Sequence, residues 1–163
     1  MNKMFLNWLS GFVDSRGCFY FDVKFDHEKL YFYPRFSLYL TDDVTLNMIC
    51  NTTKLGTVYK LKGHDINTYT SKKLFRWDIF HRNQVQKFIY YLSPYIKIKN
   101  NHVDIFQRFF NVYYAFHRKS KDQIISSFLL VLSNAVLNEN YKHACRLLDL
   151  FNKVDWSKYA NGN

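Results

Sequence analysis

Apolar side chains recur along the chain with two different periods, and the changes of period mark out its elements. Over residues 3–13 (KMFLNWLSGFV), Phe5, Trp8, Leu9 and Phe12 fall at helical spacing. Asp14, with Gly17 close behind, predicts that this helix ends in a sharp turn. From residue 18 to 26 the period drops to two. Phe19, Phe21, Val23 and Phe25 point one way and Tyr20, Asp22, Lys24 and Asp26 the other, which predicts a half-buried strand. A turn at 27–29 leads into a second strand, LYFYPRFSLYL. It sets Phe32, Phe36, Leu38 and Leu40 towards a core and Tyr31, Tyr33, Arg35, Ser37 and Tyr39 opposite. Pro34 has no N–H to give a neighbour and predicts a bulge or an edge.

Asp42 or Asp43 is suited to cap a second helix that runs to about residue 53. Gly56 opens a third strand, TVYKLK, which turns at Gly63. KKLFRWDIF reads as a fourth strand with Phe75, Trp77 and Ile79 inward. A third helix from about residue 83 to 92 is stopped by Pro94, and further helices are expected at about 103–117, 123–138 and 141–153. The order is helix, strand, strand, helix, strand, strand, helix, then more helices, which is an α+β arrangement. At 163 residues the chain has room for one real core. We expect a core of residues 1–120 and a helical extension of residues 121–163 packed on the same domain.

Composition narrows the possible roles. Hydrophobic residues are 48% of the chain and aromatics 20%, which excludes a disordered segment. No stretch reaches the roughly 20 apolar residues of a membrane span, so no membrane partner is expected, and the first residues read as a motif rather than a cleavable signal. Cys18, Cys50 and Cys145 are far apart and have no second cysteine or histidine at zinc-ligand spacing, so free thiols in a reducing compartment are expected. His64, His81, His102, His117 and His143 are equally scattered, and no metal or other cofactor is expected. Charge is the informative property. The net charge is +10, and residues 1–120 carry 18 basic against 9 acidic side chains, while residues 121–163 carry 5 against 4. Such an excess implies an anionic partner, and nucleic acid fits it. The abundance of Phe, Tyr, Asn, Lys and Ile with few Gly and Pro is what an AT-rich genome produces, and an organelle interior such as the mitochondrion is one setting for it.

The segment WLSGFVDSRGCFYF, residues 8–21, resembles the signature of the LAGLIDADG homing endonucleases, with Leu9, Ser10, Gly11, Phe12, Val13, Asp14, Ser15, Arg16 and Gly17 in register. The αββαββα order behind it and the segment PYIKIKNNHVDIF, similar to the family's lysine-bearing stretch, extend the resemblance over about residues 3–117. It implies an antiparallel saddle sheet and one motif helix. In that helix the small residues Ser10 and Gly11, with Asp14, would let a second such half approach closely, from this chain or another. It also implies that the residue just before the final glycine is the carboxylate that binds a divalent metal at the scissile phosphate. Here that residue is Arg16, which offers no lone pair and repels a cation. Asp14 is the candidate replacement. The water-positioning polar residue near the end of the second strand falls at Leu40 or Thr41, neither of them equivalent, and Lys99 stands at the place of the family's active-site lysine.

The resemblance further implies that the outward strand face binds nucleic acid. That face would carry Tyr20, Lys24, Tyr31, Tyr33, Arg35, Tyr39, Lys60, Lys62, Lys72 and Arg76, with Lys97 and Lys99 beyond it and Asp22, Asp26 and Asp78 as opposing charges. Cations interleaved with aromatics suit structured or single-stranded RNA at least as well as duplex DNA. Three functions follow as expectations. The first is a non-cleaving binder, favouring RNA, of the maturase kind or as part of a ribonucleoprotein. The second is an active or partly active endonuclease completed by a second half-site partner, and the third is a protein-interaction module built on the last helices.

Overall fold

The first helix, α1 (Lys3–Arg16), starts where the Asn2 side chain accepts from the Phe5 N–H at 2.8 Å. It runs two residues past Asp14. Gly17, which follows it, must be glycine for lack of room, since a Cβ there would stand 2.7 Å from the Val13 carbonyl oxygen and 2.9 Å from the Phe36 ring. The computed structural model describes residues 1–61, 73–115 and 118–159. After α1 come strands β1 (Gly17–Asp26) and β2 (Lys29–Leu40), joined by His27 and Glu28 with φ of 48° and 60°. Two successive left-handed residues are the type I′ turn that matches strand twist, so β1 and β2 form an antiparallel hairpin.

Asp42 caps α2 (Asp43–Thr53) through the N–H groups of Val44 and Thr45. Strands β3 (Thr57–Lys60) and β4 (Phe75–Ile79) follow, then α3 (Arg82–Leu92), which stops just before Pro94. The remaining helices are α4 (Asn100–Tyr113), α5 (Lys121–Leu137) and α6 (Tyr141–Phe151), with a 3-10 turn at Trp156–Lys158. Ser120 and Gln123 form a reciprocal capping box at the start of α5. Among the described residues no helix is long and apolar enough to cross a membrane. The four strands make one sheet in the order β1-β2-β4-β3. Pro34 lies before the Phe36–Leu40 stretch that pairs with β4, so its missing N–H removes no bond on that side.

The chain forms two compact units, one of Met1–Phe19 with Arg35–Asn100 and the other of Tyr20–Pro34 with Asn101–Asn163. In the first unit, Phe36 is fully buried, its ring 4.9 Å from Phe19, 4.6 Å from Phe88 and 5.7 Å from Trp77. In the second, Phe21 lies 4.3 Å from Phe106 and 4.6 Å from Phe109, and Phe128 lies 4.3 Å from Phe151. Each such side chain, at about 1.5–3 kcal/mol, outweighs any surface ion pair in holding its unit together.

Register and burial correct three sequence expectations. Lys60 lies opposite Phe75, and Val58 opposite Trp77, so in register Lys60 belongs to the core-side face although it is exposed at the strand end, and Thr57 and Tyr59, opposite Asp78 and Arg76, share the other face. Ser37 and Asp78, expected outward and exposed, are cross-strand partners and completely buried. Phe75, expected inward, is only half-buried.

Candidate nucleic-acid interface

The end of α1 places the motif residues in different surroundings. Gly11 is exposed, and a Cβ built on it would meet nothing within 4 Å, so this point of the helix is open to close approach. Ser10 faces the other way, buried, with its hydroxyl donating to the Asn7 carbonyl at 2.7 Å. Of the three residues expected at a helix-packing face, then, only Gly11 presents an open surface. Asp14 is turned inward on the chain. Its Oδ2 accepts from the Lys97 N–H at 3.0 Å, and its Oδ1 from the N–H groups of Ile98 at 3.1 Å and Lys99 at 2.9 Å.

A carboxylate with three backbone donors on its two oxygens is a charge-assisted clasp. It fixes the segment 97–99, which leads into α4, against the end of α1. Three of the acceptor positions of the Asp14 carboxylate are thereby taken by N–H groups of its own chain. Arg16, the last residue of α1, is exposed, and a cation there is favoured by the negative end of the helix dipole. Lys97 is exposed and Lys99 half-buried, near enough to Cys18 to oppose the rise in its thiol pKa that burial causes. Leu40 is buried and Thr41 exposed at the strand end. The residues at this place do not fit a divalent cation. Among the described residues no three His, Cys, Asp or Glu side chains come together as metal ligands anywhere.

The outward face of the sheet in the same unit carries a network that single residues do not reveal. The Ser37 hydroxyl donates to Asp78 Oδ1 at 2.5 Å, and Arg76 Nε lies 2.6 Å from Asp78 Oδ2, close but out of line, which makes it an ion pair. Burial works against the Arg76 charge, but Asp78 and Tyr39 outweigh it and hold the guanidinium more firmly protonated. Arg76 also stands 6.0 Å from the Tyr59 ring centroid. Arg35 donates to the Phe80 carbonyl and lies 5.2 Å from that ring. These two arginines are therefore built into the face, and Asp78 neutralises one of them. A buried partner for Arg76 could not be seen in an alternating strand pattern, which puts Asp78 on the solvent side.

In the second unit, Tyr20 and Tyr31 are half-buried, Tyr33 is exposed, and exposed Lys24 pairs with Asp26 at 3.3 Å. Asp22 is exposed on the same strand. Lys62 and Lys72 lie outside the described residues. Arg16 and Lys97, around the Asp14 clasp, and Lys60 on β3 are exposed, whereas Arg35 and Arg76 are engaged within the sheet.

No protein-family model matches the sequence, and no curated protein is significantly similar to it. Solved structures do match in fold. The homing endonuclease I-TnaI is 19% identical with a TM-score of 0.70, over 88% of this chain and 95% of that one. The homing endonuclease I-CvuI, in complex with its target, is 18% identical with a TM-score of 0.69, over 82% of each chain. The LAGLIDADG meganuclease I-AabMI, bound to uncleaved DNA, is 21% identical with a TM-score of 0.63, over 82% of this chain but only 44% of that one. The chain has the α+β fold of the LAGLIDADG homing endonucleases, and its extent is that of about half of the larger protein.

Proposed function

We propose that this chain is a nucleic-acid-binding protein that has kept the endonuclease fold and given up cleavage, with folded RNA as its ligand. The observation that carries the reading is the end of α1. Arg16 occupies the place where the fold's enzymes are expected to hold a metal-binding carboxylate, and the candidate replacement, Asp14, has both oxygens bonded to backbone N–H groups. A guanidinium at that place grips a backbone phosphate with two parallel hydrogen bonds, and Lys97 and Lys99, set beside it by the clasp, add charge. The relatives I-CvuI and I-AabMI are described with bound DNA, which supports nucleic acid as the class of ligand. The tyrosines Tyr20, Tyr31, Tyr33, Tyr39 and Tyr59 supply flat faces for unpaired bases, and this favours RNA with exposed loops over a closed duplex.

A second half completes the binding surface. The outer side of α1 exposes Met4, Trp8 and Gly11, an apolar and locally open strip suited to another motif helix from a second copy or another chain.

Competition titrations at fixed salt test the proposal. Folded RNA from the protein's own compartment is expected to bind more tightly than duplex DNA, and the combined change of Arg16, Lys97 and Lys99 to Ala to weaken binding. Its salt dependence should flatten by about one unit of slope per lost phosphate contact. A preference of about tenfold or more for one DNA duplex, roughly 1.4 kcal/mol, would overturn the choice of RNA. Unchanged affinity and slope in the triple variant would remove the end of α1 from the interface.

A further inference from the structure

The unit of Tyr20–Pro34 and Asn101–Asn163 contains a pocket of about 570 Å³. That size lies within the roughly 300–1,000 Å³ of sites for small organic ligands. Beside Leu30 and Ile124 its lining is cationic and aromatic, and among the described residues no carboxylate lines it. Lys158 is already committed, donating to the His27 carbonyl at 3.3 Å and pairing with Glu28, so its role is to hold the hairpin turn. Lys29 and Arg118, by contrast, form no ion pair with a described residue. Lys119 stands 5.1 Å from the Tyr113 ring centroid and Lys29 5.7 Å from that of Tyr159.

The aromatic wall is held rigidly. The hydroxyls of Tyr113 and Tyr159 accept from the β2 N–H groups of Phe32 at 3.4 Å and Leu30 at 2.8 Å. Burial raises the pKa of both, so they stay neutral and the pocket keeps its positive sign. Tyr113 is further stacked on Phe109 at 5.0 Å, and Tyr159 leans on Trp156 at 5.9 Å. Tyr31 differs: it is half-buried, and no ring or hydrogen bond of a described residue engages it. The pocket therefore offers two cations, Lys29 and Arg118, with no anion paired to them among the described residues, and the Tyr31 ring with no ring contact among them.

We propose that this pocket binds a single nucleotide, with the phosphate on Arg118 and Lys29 and the base against the Tyr31 ring. A simple anion would leave the aromatic face and most of the volume unused, and a neutral aromatic would leave the cations facing an apolar ligand. A planar base joined to a phosphate satisfies both. The same chemistry comes from a free mononucleotide or from one unstacked nucleotide of a strand. The assignment does not rest on the end of α1, which belongs to the other unit.

The test uses the full chain and calorimetric titration with AMP, adenosine and inorganic phosphate. AMP is expected to bind at least tenfold more tightly than either fragment. Tyr31→Phe should keep that affinity, while Tyr31→Leu and Arg118→Ala should each lose about tenfold with unchanged thermal unfolding. Combined change of Arg16, Lys97 and Lys99 to Ala should leave AMP binding intact, which separates this site from the end of α1 in the proposed interface. A single-stranded ten-residue oligonucleotide carrying 4-thiouridine distinguishes the sources. A crosslink to the peptide containing Tyr31 that AMP competes away identifies a nucleotide of a strand, and AMP binding without that crosslink identifies a free one. AMP binding no tighter than phosphate, or unaffected by both Tyr31→Leu and Arg118→Ala, overturns the assignment. So does the absence of both AMP binding at millimolar concentration and the crosslink.

Discussion

Two residues separated by one position, Asp14 and Arg16, decide what the end of α1 can do. Arg16 was legible in the sequence, because a charge of the wrong sign at a motif position needs no structure to be seen. The fate of Asp14 was not, since its three donors come from residues 97–99, more than eighty positions away. If the Asp14 carboxylate is a clasp, removing it leaves three N–H groups without their acceptor. Asp14→Ala is expected to lower stability by about 1–3 kcal/mol, the usual range for losing charge-assisted bonds at a partly exposed site. Urea unfolding measures it, and a change below about 0.5 kcal/mol would show that the clasp contributes little. Asp78 and Ser37 teach the same lesson. Alternation assigned them to solvent, yet both are fully buried, with Asp78 paired to Arg76.

Among elements, helix and strand order was readable because apolar periodicity is a local property, and every expected element that falls on described residues is present. What could not be read was register. A shift of one residue exchanges the two faces of a strand, and β3 is short, so only its pairing with β4 put Tyr59 rather than Lys60 on the face of Arg76. The β1–β2 turn gives another consequence of element geometry. His27 and Glu28 take left-handed φ values that glycine and asparagine adopt more readily. The turn persists because Asp155 N–H donates to the Glu28 carbonyl at 3.2 Å and Lys158 holds both the His27 carbonyl and the Glu28 side chain. His27→Asn relieves the strain without touching those bonds, and is expected to raise stability by about 0.5–1 kcal/mol in thermal or urea unfolding. A loss of stability would mean that the histidine ring itself supports the turn.

For the whole molecule, the net charge of +10 implies an anionic partner, and the two proposed sites fall in different compact units. One carries the clasp, Arg16 and the arginines built into the sheet, and the other carries the cationic, aromatic pocket. The fold was legible from a nine-residue motif and an order of elements. The pocket was not, because its cations and tyrosines are drawn from β2, α4, the segment before α5 and the end of the chain. The central claim is that this fold here holds nucleic acid without cutting it. Its most direct test is incubation of the purified protein with Mg²⁺ or Mn²⁺ and DNA carrying a sequence selected for binding to it. The expected result is stable, salt-sensitive binding and no specific double-strand break. A clean, metal-dependent break that Asp14→Asn abolishes would contradict the account.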